Sequence, residues 1–573
     1  MSITTRHESK IVNRLFYGIL LITAAFLLWK ANYGVVFNDE PFMVSLGHRF
    51  LKGDIPFSSE WHKCQLSGLI FIPFIWLHTV IFKSTEGLLL FIRYCFVLWW
   101  LLTGLILFYR TRKYGKICLA AIVGFYLYIP LDTMTFTYNA VALSCLLLFF
   151  SYFLGKGNRL SDYINGILLA LAIIAYPLLI VLAFIYGAAV IVFQIIRKKK
   201  PDILKYSVLT GRLFDYKTLI RIVISCVVIA SLLIVYFIAF SSFNLFSIGF
   251  NEILTTENNA TRSILLFAKN LMSDFPFIFT VGLVTIIVSL FDRNRAKRKN
   301  LYFIIQSVVL ILSVSFWMVV NFLYLNIIMA PLAFLGLQAF VLNKNKDTDL
   351  FVCLWIPGVI FAVISYLSSD TGNMAIANGL SISTFAGFFF IGTYYRENKK
   401  NAGNQLQKSV CVMFSLVLAV QLGSELATRI FRNYRDQFLH QLTYKIPSGA
   451  EKGIITTKET CDAYTALHED SQYIKTMMDD DINFLSINLS PLSYLEMDCN
   501  YATYSTWVNT TNLANYEIEN EELSRYFKVH PEKTPNVIYS SLGYNHLTKE
   551  FDFIDFSRFE KHKLGSGLWL VKK

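Results

Sequence analysis

The sequence predicts a polytopic α-helical membrane protein followed by a smaller α/β domain. Hydrophobic residues make up 55% of the 573 residues, and the mean hydropathy is +0.49. This composition excludes an ordinary soluble globule and is typical of a chain with many membrane-crossing helices. After residue 425 the composition becomes polar and charged. We therefore divide the chain into a transmembrane domain, residues 1–425, and a C-terminal domain, residues 426–573.

Long apolar runs alternate with loops of very different charge. The runs lie at roughly 11–31, 66–82, 86–109, 116–131, 138–154, 163–176, 178–196, 217–240, 276–291, 300–320, 325–342, 349–367, 374–394 and 408–425. Basic clusters lie at 6–14, 110–116, 156–159, 197–200, 293–299, 344–346 and 396–400. The net charge of +13 is therefore typical of cytosolic loops in a protein of the lipid bilayer, and no nucleic-acid partner is expected.

The positions of the basic clusters predict which runs cross the membrane, because cytosolic loops are enriched in Lys and Arg. Clusters flank 163–196, which as one helix would reach about 50 Å, beyond a hydrocarbon core of about 30 Å. This segment therefore crosses twice, with an outer turn at Tyr176-Pro177. The run 66–82 is predicted to lie in the outer interface or to re-enter. The total is about thirteen crossings, with a cytosolic N-terminus and an extracytoplasmic C-terminal domain; fourteen would break the charge pattern.

The C-terminal domain shows alternating helix and strand signals. Lys458–Tyr473 has a helical pattern, whereas 482–489, 536–540 and 567–572 are strand-like. This alternation predicts a small α/β domain. Cys461 and Cys499 are the cysteines of this domain, and they could form a disulfide if the domain faces an oxidising compartment.

The first outer loop, predicted at 32–85, contains two adjacent acids. Asp39 and Glu40 precede apolar residues at helical spacing, which predicts an amphipathic helix on the outer leaflet. In one interpretation, Asp39 caps this helix and Pro41 is its first residue. Capping accounts for one acid only, and polar residues continue through His48, Asp54 and Glu60. In the other interpretation, one carboxylate is a general base that activates an acceptor hydroxyl.

Cationic residues nearby suit a phosphate leaving group, which needs positive partners as its bond breaks. Lys63 precedes the interfacial run, and Arg93 lies near the outer end of the second crossing. Either residue could instead be an ordinary interfacial or snorkelling cation. A second acid, Asp132, lies in the second outer loop, and Asn139 begins the next helix. Both could position an acceptor. Asp132 could instead ligate a divalent cation or be a plain loop residue.

Two further outer loops have open interpretations. The polar loop 368–373 could line a cavity or form a turn. The loop 241–275, with Glu252, Glu257, Arg262 and Lys269, could be a lid. His62 has no second metal-ligating residue at a suitable spacing in the sequence, so a metal-binding role for it is not expected.

The first outer loop resembles that of the C-type glycosyltransferase (GT-C) superfamily. The resemblance rests on the ordered motifs Asn38-Asp39-Glu40-Pro41-Phe42, Gly53-Asp54 and Trp61-His62-Lys63, with Arg93 in the next helix. It is nearest to lipid A aminoarabinose transferases and protein O-mannosyltransferases, and it covers about the first 200 residues. The sequence departs from that pattern in two places. Cys64-Gln65 follow Lys63 where Pro-Pro is common, and Asn139 stands where an acid is frequent.

The resemblance implies an inverting glycosyltransferase that uses a polyprenyl-phosphate sugar donor at the outer membrane face. It implies that Asp39 is the base, that Glu40 orients the acceptor or the loop, and that Lys63 and Arg93 hold the departing phosphate. The acceptor would be a glycan, lipid or protein of the cell envelope.

The competing hypotheses are a transporter or flippase of lipid-linked glycans, which needs ionisable residues in mid-membrane, and an inactive scaffold that binds cell-wall polymer.

Overall fold

The fold is described from a computed structural model. The structure describes residues 3–35, 38–155, 157–199, 212–256, 264–320, 329–343, 347–368, 373–400, 405–433, 435–478, 481–487, 490–508, 513–541 and 544–573. Almost all of the transmembrane domain in these ranges is helical. Its helices are α1 Ile3–Lys30, α2 Asp39–Leu51, α3 Ile72–Phe82, α4 Leu88–Thr111, α5 Ile117–Leu127, α6 Tyr138–Ser151, α7 Arg159–Ala175, α8 Ile180–Lys199, α9 Tyr216–Phe240, α10 Phe243–Thr256, α11 Ile264–Asp274, α12 Leu283–Phe291, α13 Arg295–Val320, α14 Ala330–Leu342, α15 Thr348–Leu350, α16 Ile356–Ser368, α17 Asn373–Lys400 and α18 Gln405–Phe431.

Eight helices of the described residues are long and apolar enough to cross a membrane, or nine if a bent pair counts as one span. The eight are Lys10–Lys30, Leu88–Tyr114, Pro177–Lys199, Tyr216–Phe240, Arg295–Val320, Thr348–Ser368, Met374–Lys399 and Gln405–Phe431. This establishes a multi-helix protein suited to a lipid bilayer. The other five runs predicted to cross contain α5, α6, α7, α12 and α14, of 11, 14, 17, 9 and 13 residues. Each is shorter than the roughly 20 residues of a straight crossing.

One local prediction is confirmed by the helix boundaries. α7 ends at Ala175 and Pro177 opens a short 3₁₀ turn before α8, so the helix breaks at the predicted residues. α3 has 11 residues, which corresponds to about 16 Å of helix and is the same length as α5, so the interfacial or re-entrant placement of 66–82 stays a prediction. The side chains of α3 that are exposed are apolar, as expected for a helix in contact with lipid: Trp76, Leu77, Val80, Ile81 and Phe82.

The C-terminal domain contains a five-stranded mixed sheet in the order β4-β3-β5-β7-β6. Its elements, with a separate hairpin of β1 and β2, are β1 Tyr444–Lys445, β2 Ile455–Thr456, α19 Lys458–Lys475, β3 Asn483–Ile487, α20 Pro491–Met497, β4 Asn500–Tyr501, α21 Leu513–Val529, β5 Val537–Ser540, α22 Tyr544–Glu550, β6 Phe559–Lys563 and β7 Leu568–Lys572. β3 runs parallel to β4 and β5, whereas β7 is antiparallel to β5 and β6. The helix and the three strands read from the sequence are confirmed, and β4, β6, α20, α21 and α22 were not anticipated.

The two cysteines of the C-terminal domain are not joined. Cys461 and Cys499 are both free thiols and both buried. The disulfide that the sequence allowed is therefore absent from the structure. Cys461 packs at the start of α19, and its thiol donates to the carbonyl oxygen of Lys445 at 3.7 Å.

The C-terminal domain completes the start of α4. The first backbone N–H groups of a helix have no partner within the helix. Here the N–H groups of Gly87 and Leu89 donate to the carbonyl oxygens of Gly449 and Ala450 at 2.9 and 3.0 Å. A second junction joins the segment after α1 to β2, where Gly34 N–H donates to Ile455 O at 2.9 Å. The loop 32–85 and the C-terminal domain therefore share backbone hydrogen bonds.

A histidine makes the packing of α19 on α20 sensitive to pH. His468 Nδ1 lies 2.6 Å from Glu496 Oε2, and this hydrogen bond raises the pKa of His468 against the opposing effect of burial. Because the pKa is raised in the folded protein, the contact stabilises most below about pH 6.5 and its contribution is lost as the pH rises through the folded-state pKa. We expect the melting temperature of the wild type to fall between about pH 6 and pH 9 in thermal denaturation. His468→Gln should flatten that profile, and equal profiles would contradict the assignment.

Candidate functional site

The helix α2 carries the two candidate acids in its first turn. It begins at Asp39, with Asn38 preceding it and making no capping hydrogen bond through its side chain. The interpretation of Asp39 as the cap and Pro41 as the first helical residue is therefore wrong by one or two positions. The first turn of a helix favours negative charge, so both acids lie where the helix dipole stabilises them. Gly53, with φ +103°, follows the helix and ends it.

Glu40 and Arg93 form a buried, bidentate ion pair. Arg93 Nε lies 2.8 Å from Glu40 Oε1, and Arg93 Nη2 lies 2.5 Å from Glu40 Oε2. Arg93 also donates to the carbonyl oxygens of Ala31 and Gly34 at 2.9 Å each. Glu40 is fully buried and Arg93 is 3% exposed. Two residues chosen from the sequence are thus brought together, and Glu40 holds Arg93 in place beside the end of α1.

Arg93 is one of three cations around a small polar cavity. The cavity lies between the end of α1, the N-terminal part of α4 and the end of α18. It is lined by Lys30, Tyr33, Gly34, Arg93, Asp132, Met134, Arg429 and Asn433. Its three cationic side chains are all almost completely buried. Charges this deeply buried are costly unless each has polar partners.

The partners of the three cations differ in charge. Arg429 pairs with the carboxylate of Asp132 and also donates to Leu127 O at 3.0 and 3.1 Å. Lys30 Nζ instead donates to Arg432 O and Asn433 Oδ1, both at 2.7 Å, and to Ile430 O. These acceptors are neutral oxygens. Arg93 and Arg429 are each in direct contact with a carboxylate. The direct acceptors of Lys30 are neutral, although the charges of Asp132 and Asp436 also act on it.

Asp132 is positioned by a strained turn. Leu131 and Asp132 have φ values of +54° and +56°, the left-handed region that non-glycine residues rarely adopt. Strain of this kind persists where the surrounding structure imposes it, often at functional sites. Asp132 therefore reaches the cavity as the partner of Arg429, and it is not a plain loop residue.

Asp39 lies in a different environment from Glu40. Its carboxylate is 27% exposed and lies 3.4 Å from Arg435 Nε. The Tyr138 hydroxyl is close enough to Asp39 and Cys64 to interact with them electrostatically. Of the predicted site residues, Asp39 is therefore the accessible acid, and Asn139 is buried next to the tyrosine that faces it.

Lys63 follows a histidine that is part of the core of the loop. Burial, with a smaller effect of the Lys63 charge, lowers the pKa of His62 to about 3. The neutral His62 accepts from the Cys64 N–H at 3.1 Å and packs edge-on against Phe42, with ring centroids 4.8 Å apart. Lys63 itself is partly exposed and is not among the residues that line the cavity of Lys30.

The other polar residues of the loop bind the C-terminal domain. Arg49 is fully buried and donates to Asp54 and Glu60 at 2.6 Å each, to Thr503 O at 2.6 Å, and to Ser59 O. Three more contacts complete this surface. Glu60 accepts from Thr506 Oγ1 at 2.8 Å, Lys533 donates to Asp54 at 2.6 Å, and His48 Nε2 lies 2.9 Å from Asp498 Oδ1. The run of polar residues after Glu40 is thus explained by domain docking.

The remaining sequence hypotheses fall partly outside the described residues. In the loop 241–275, Glu252 of α10 pairs with Arg525 of the C-terminal domain at 2.8 Å, whereas Glu257 and Arg262 lie outside the described residues. In the loop 368–373, Ser368 Oγ lies 2.5 Å from Tyr176 Oη, and 369–372 lie outside them. No group of three His, Cys, Asp or Glu side chains able to hold a metal ion is found where the structure describes the chain.

Lys30 and Arg429 were missed in the sequence. Lys30 is the last residue of α1, where a cation normally anchors a helix to the interface. Arg429 lies in α18 four residues beyond the predicted end of the last run, at 425. One available signal was the position of Arg429, because a helix that extends past its apolar run can bury the residues that follow the run.

No family model matches the chain, and no curated protein matches it. The chemistry of the site is therefore argued from its own residues.

Proposed function

We propose that this protein is an integral-membrane glycosyltransferase that transfers a sugar from a polyprenyl-phosphate donor to an acceptor of the cell envelope. The observation that carries the proposal is the cavity lined by Lys30, Arg93 and Arg429, at the base of the helix that bears Asp39 and Glu40. Three buried cations around one cavity suit a phosphate that becomes more negative as its bond to the sugar breaks. The helices around it are suited to a bilayer, which a polyprenyl tail requires.

The proposed topology has about thirteen crossings, a cytosolic N-terminus, and both the loop 32–85 and the C-terminal domain on the extracytoplasmic side. The charge pattern of the loops supports it. The contacts of Arg49 and His48 with residues 498–506 also support it, because they require the loop and the C-terminal domain to lie on the same side. The five shorter helices would cross as part of a bundle in which neighbouring helices complete the span.

In the proposed reaction, Asp39 accepts the proton of an acceptor hydroxyl as the oxygen attacks the anomeric carbon. The attack occurs opposite the phosphate, so the configuration inverts. The carbon–oxygen bond to the phosphate breaks, and polyprenyl phosphate leaves with the bonding electrons. Lys30, Arg93 and Arg429 would stabilise its charge. The role of Lys63 as a further phosphate ligand rests on the sequence resemblance alone. Glu40 and Asp132 act as positioning residues, because they orient the two arginines.

Replacing Lys30 tests the anion site most directly. Lys30→Gln should lower kcat/KM for the donor by about 10- to 100-fold, since a hydrogen bond to a charged group contributes roughly 1.5–3 kcal/mol. Lys458→Gln, at an exposed position of α19, is the matched control and should have no effect. Equal donor kinetics in both variants would remove Lys30 from the site.

The function itself is tested with purified protein in vesicles, a panel of polyprenyl-phosphate monosaccharides, and an envelope lipid extract as acceptor. Release of free polyprenyl phosphate together with a glycosylated product supports transfer. Movement of an intact lipid-linked sugar across the vesicle membrane, without release, would establish a transporter or flippase instead. Neither product nor movement with any donor would contradict both.

A further inference from the structure

A large open groove separates the transmembrane domain from the C-terminal domain, away from the cavity of Lys30. Its volume is about 790 Å³. One wall is formed by α3 and α4 through His78, Phe82, Leu90 and Phe91, and one end reaches Tyr94. The opposite wall is the β1–β2 hairpin and the turn that joins its strands. We call this the interdomain groove.

The helical wall of the interdomain groove is apolar and continuous with a lipid-facing surface. Leu90 and Phe91 are partly exposed on α4, and Phe82 at the end of α3 is 57% exposed. From there the exposed apolar side chains of α3, including Trp76 and Ile81, extend the same surface. An acyl chain that lies along α3 would thus find an uninterrupted apolar path into the groove.

The opposite wall presents two lysines. Lys445 and Lys452 are both exposed, and both line the groove. Lys452 Nζ lies 3.0 Å from Glu86 Oε1, an exposed pair that contributes little to stability. The carbon stem of Lys445 passes beside Gly453. Its Cε lies 3.9 Å from the position that a Cβ atom on Gly453 would take. The groove therefore combines an apolar wall with cationic groups at its rim.

A buried polar group also faces this space. His78 is 2% exposed, and no hydrogen-bond partner of its Nδ1 is found within the described residues. Burial lowers the pKa of His78, with a smaller opposite effect of the backbone at Ser84 and Glu86. Because the ring donates toward the backbone at Ser84 and Glu86, the Nδ1 of the neutral imidazole is an acceptor, and a hydroxyl donor in the groove would satisfy it.

We propose that the interdomain groove binds one membrane lipid with an anionic phosphate headgroup, with its phosphate at Lys445 and Lys452 and an acyl chain against Phe82, Leu90 and Phe91. A lipid suits this site better than a soluble anion, because the apolar wall continues onto the lipid-facing side of α3. The inference is independent of sugar transfer. It adds a lipid site to the chain whether or not the proposed reaction occurs.

The test is native mass spectrometry of the full chain in micelles with equal amounts of dioleoyl phosphatidylglycerol and dioleoyl phosphatidylcholine. We expect one phosphatidylglycerol to be retained in preference to phosphatidylcholine. The double variant K445Q/K452Q should weaken its binding about thirty-fold, from the attraction of two lysines to an anionic lipid. Glu86→Gln should strengthen it, because the variant removes a competing carboxylate from the rim.

The controls separate charge and shape from a general loss of folding. The double variant K528Q/K572Q removes two exposed lysines from α21 and β7 and should bind like the wild type. Leu90→Trp, which fills the apolar wall, should reduce the binding of both lipids. Equal retention of the two lipids, unchanged binding in K445Q/K452Q or Leu90→Trp, or displacement by inorganic phosphate alone would overturn the proposal.

Discussion

Arg49→Met is expected to detach the C-terminal domain from the loop 32–85 and to destabilise this junction by about 3–5 kcal/mol. Removing one partner of a buried ion pair leaves the other charge buried without compensation. In this variant, Asp54 and Glu60 would both lose the guanidinium that they share at 2.6 Å. Glu60 is fully buried, and among the described residues it would keep only hydrogen-bond donors such as Thr506.

Limited proteolysis of the purified protein measures this effect. We expect rapid cleavage between the two domains in Arg49→Met under conditions in which the wild type is resistant, together with a lower melting temperature. Arg525→Met is the matched control, since Arg525 is 44% exposed in its pair with Glu252 and such pairs contribute at most about 1 kcal/mol. Similar behaviour of the two variants would show that Arg49 does not hold the domains together.

Asp39→Asn is expected to lower the rate of sugar transfer by about 10²- to 10⁴-fold, the contribution typical of a general base. The asparagine has nearly the same shape as the acid but cannot take up the proton of the acceptor. Because Asp39 is 27% exposed, the substitution should leave the fold intact. The measurement is product formation at saturating donor, with binding of the donor measured separately.

Asp462→Asn provides the control for this prediction, at an exposed position of α19 that has no role in the proposed site. Its rate should match that of the wild type. Transfer by Asp39→Asn at the wild-type rate would exclude Asp39 as the base, although the protein could remain a glycosyltransferase that uses another group.

The regular elements were predictable, because hydrophobic periodicity depends on local sequence. Each predicted apolar run contains a helix, and α19, β3, β5 and β7 lie where their patterns indicated. β6 was missed for a physical reason: it is an edge strand whose central residues, Glu560 and Lys561, are exposed and charged. Edge strands are often protected by such charges, which hide the strand pattern.

The site was only partly predictable. Asp39, Glu40 and Arg93 were identified because unusual charges next to apolar runs are visible locally. Arg435 and Arg429, which pair with Asp39 and Asp132, were not identified, because they come from distant parts of the chain. The same lack of long-range information made Asp54 and Glu60 look like part of a reaction centre, whereas they bind Arg49.

The hydrogen bonds of Lys30 have a consequence for biosynthesis. Its ammonium donates to Arg432 O and Asn433 Oδ1, 402 and 403 residues later in the chain. At about 5–20 residues per second, the ribosome needs roughly 20–80 s to make that intervening length. Lys30 can therefore reach these acceptors only after residue 433 has been synthesised, so the cluster of Lys30, Arg93 and Arg429 assembles late in translation.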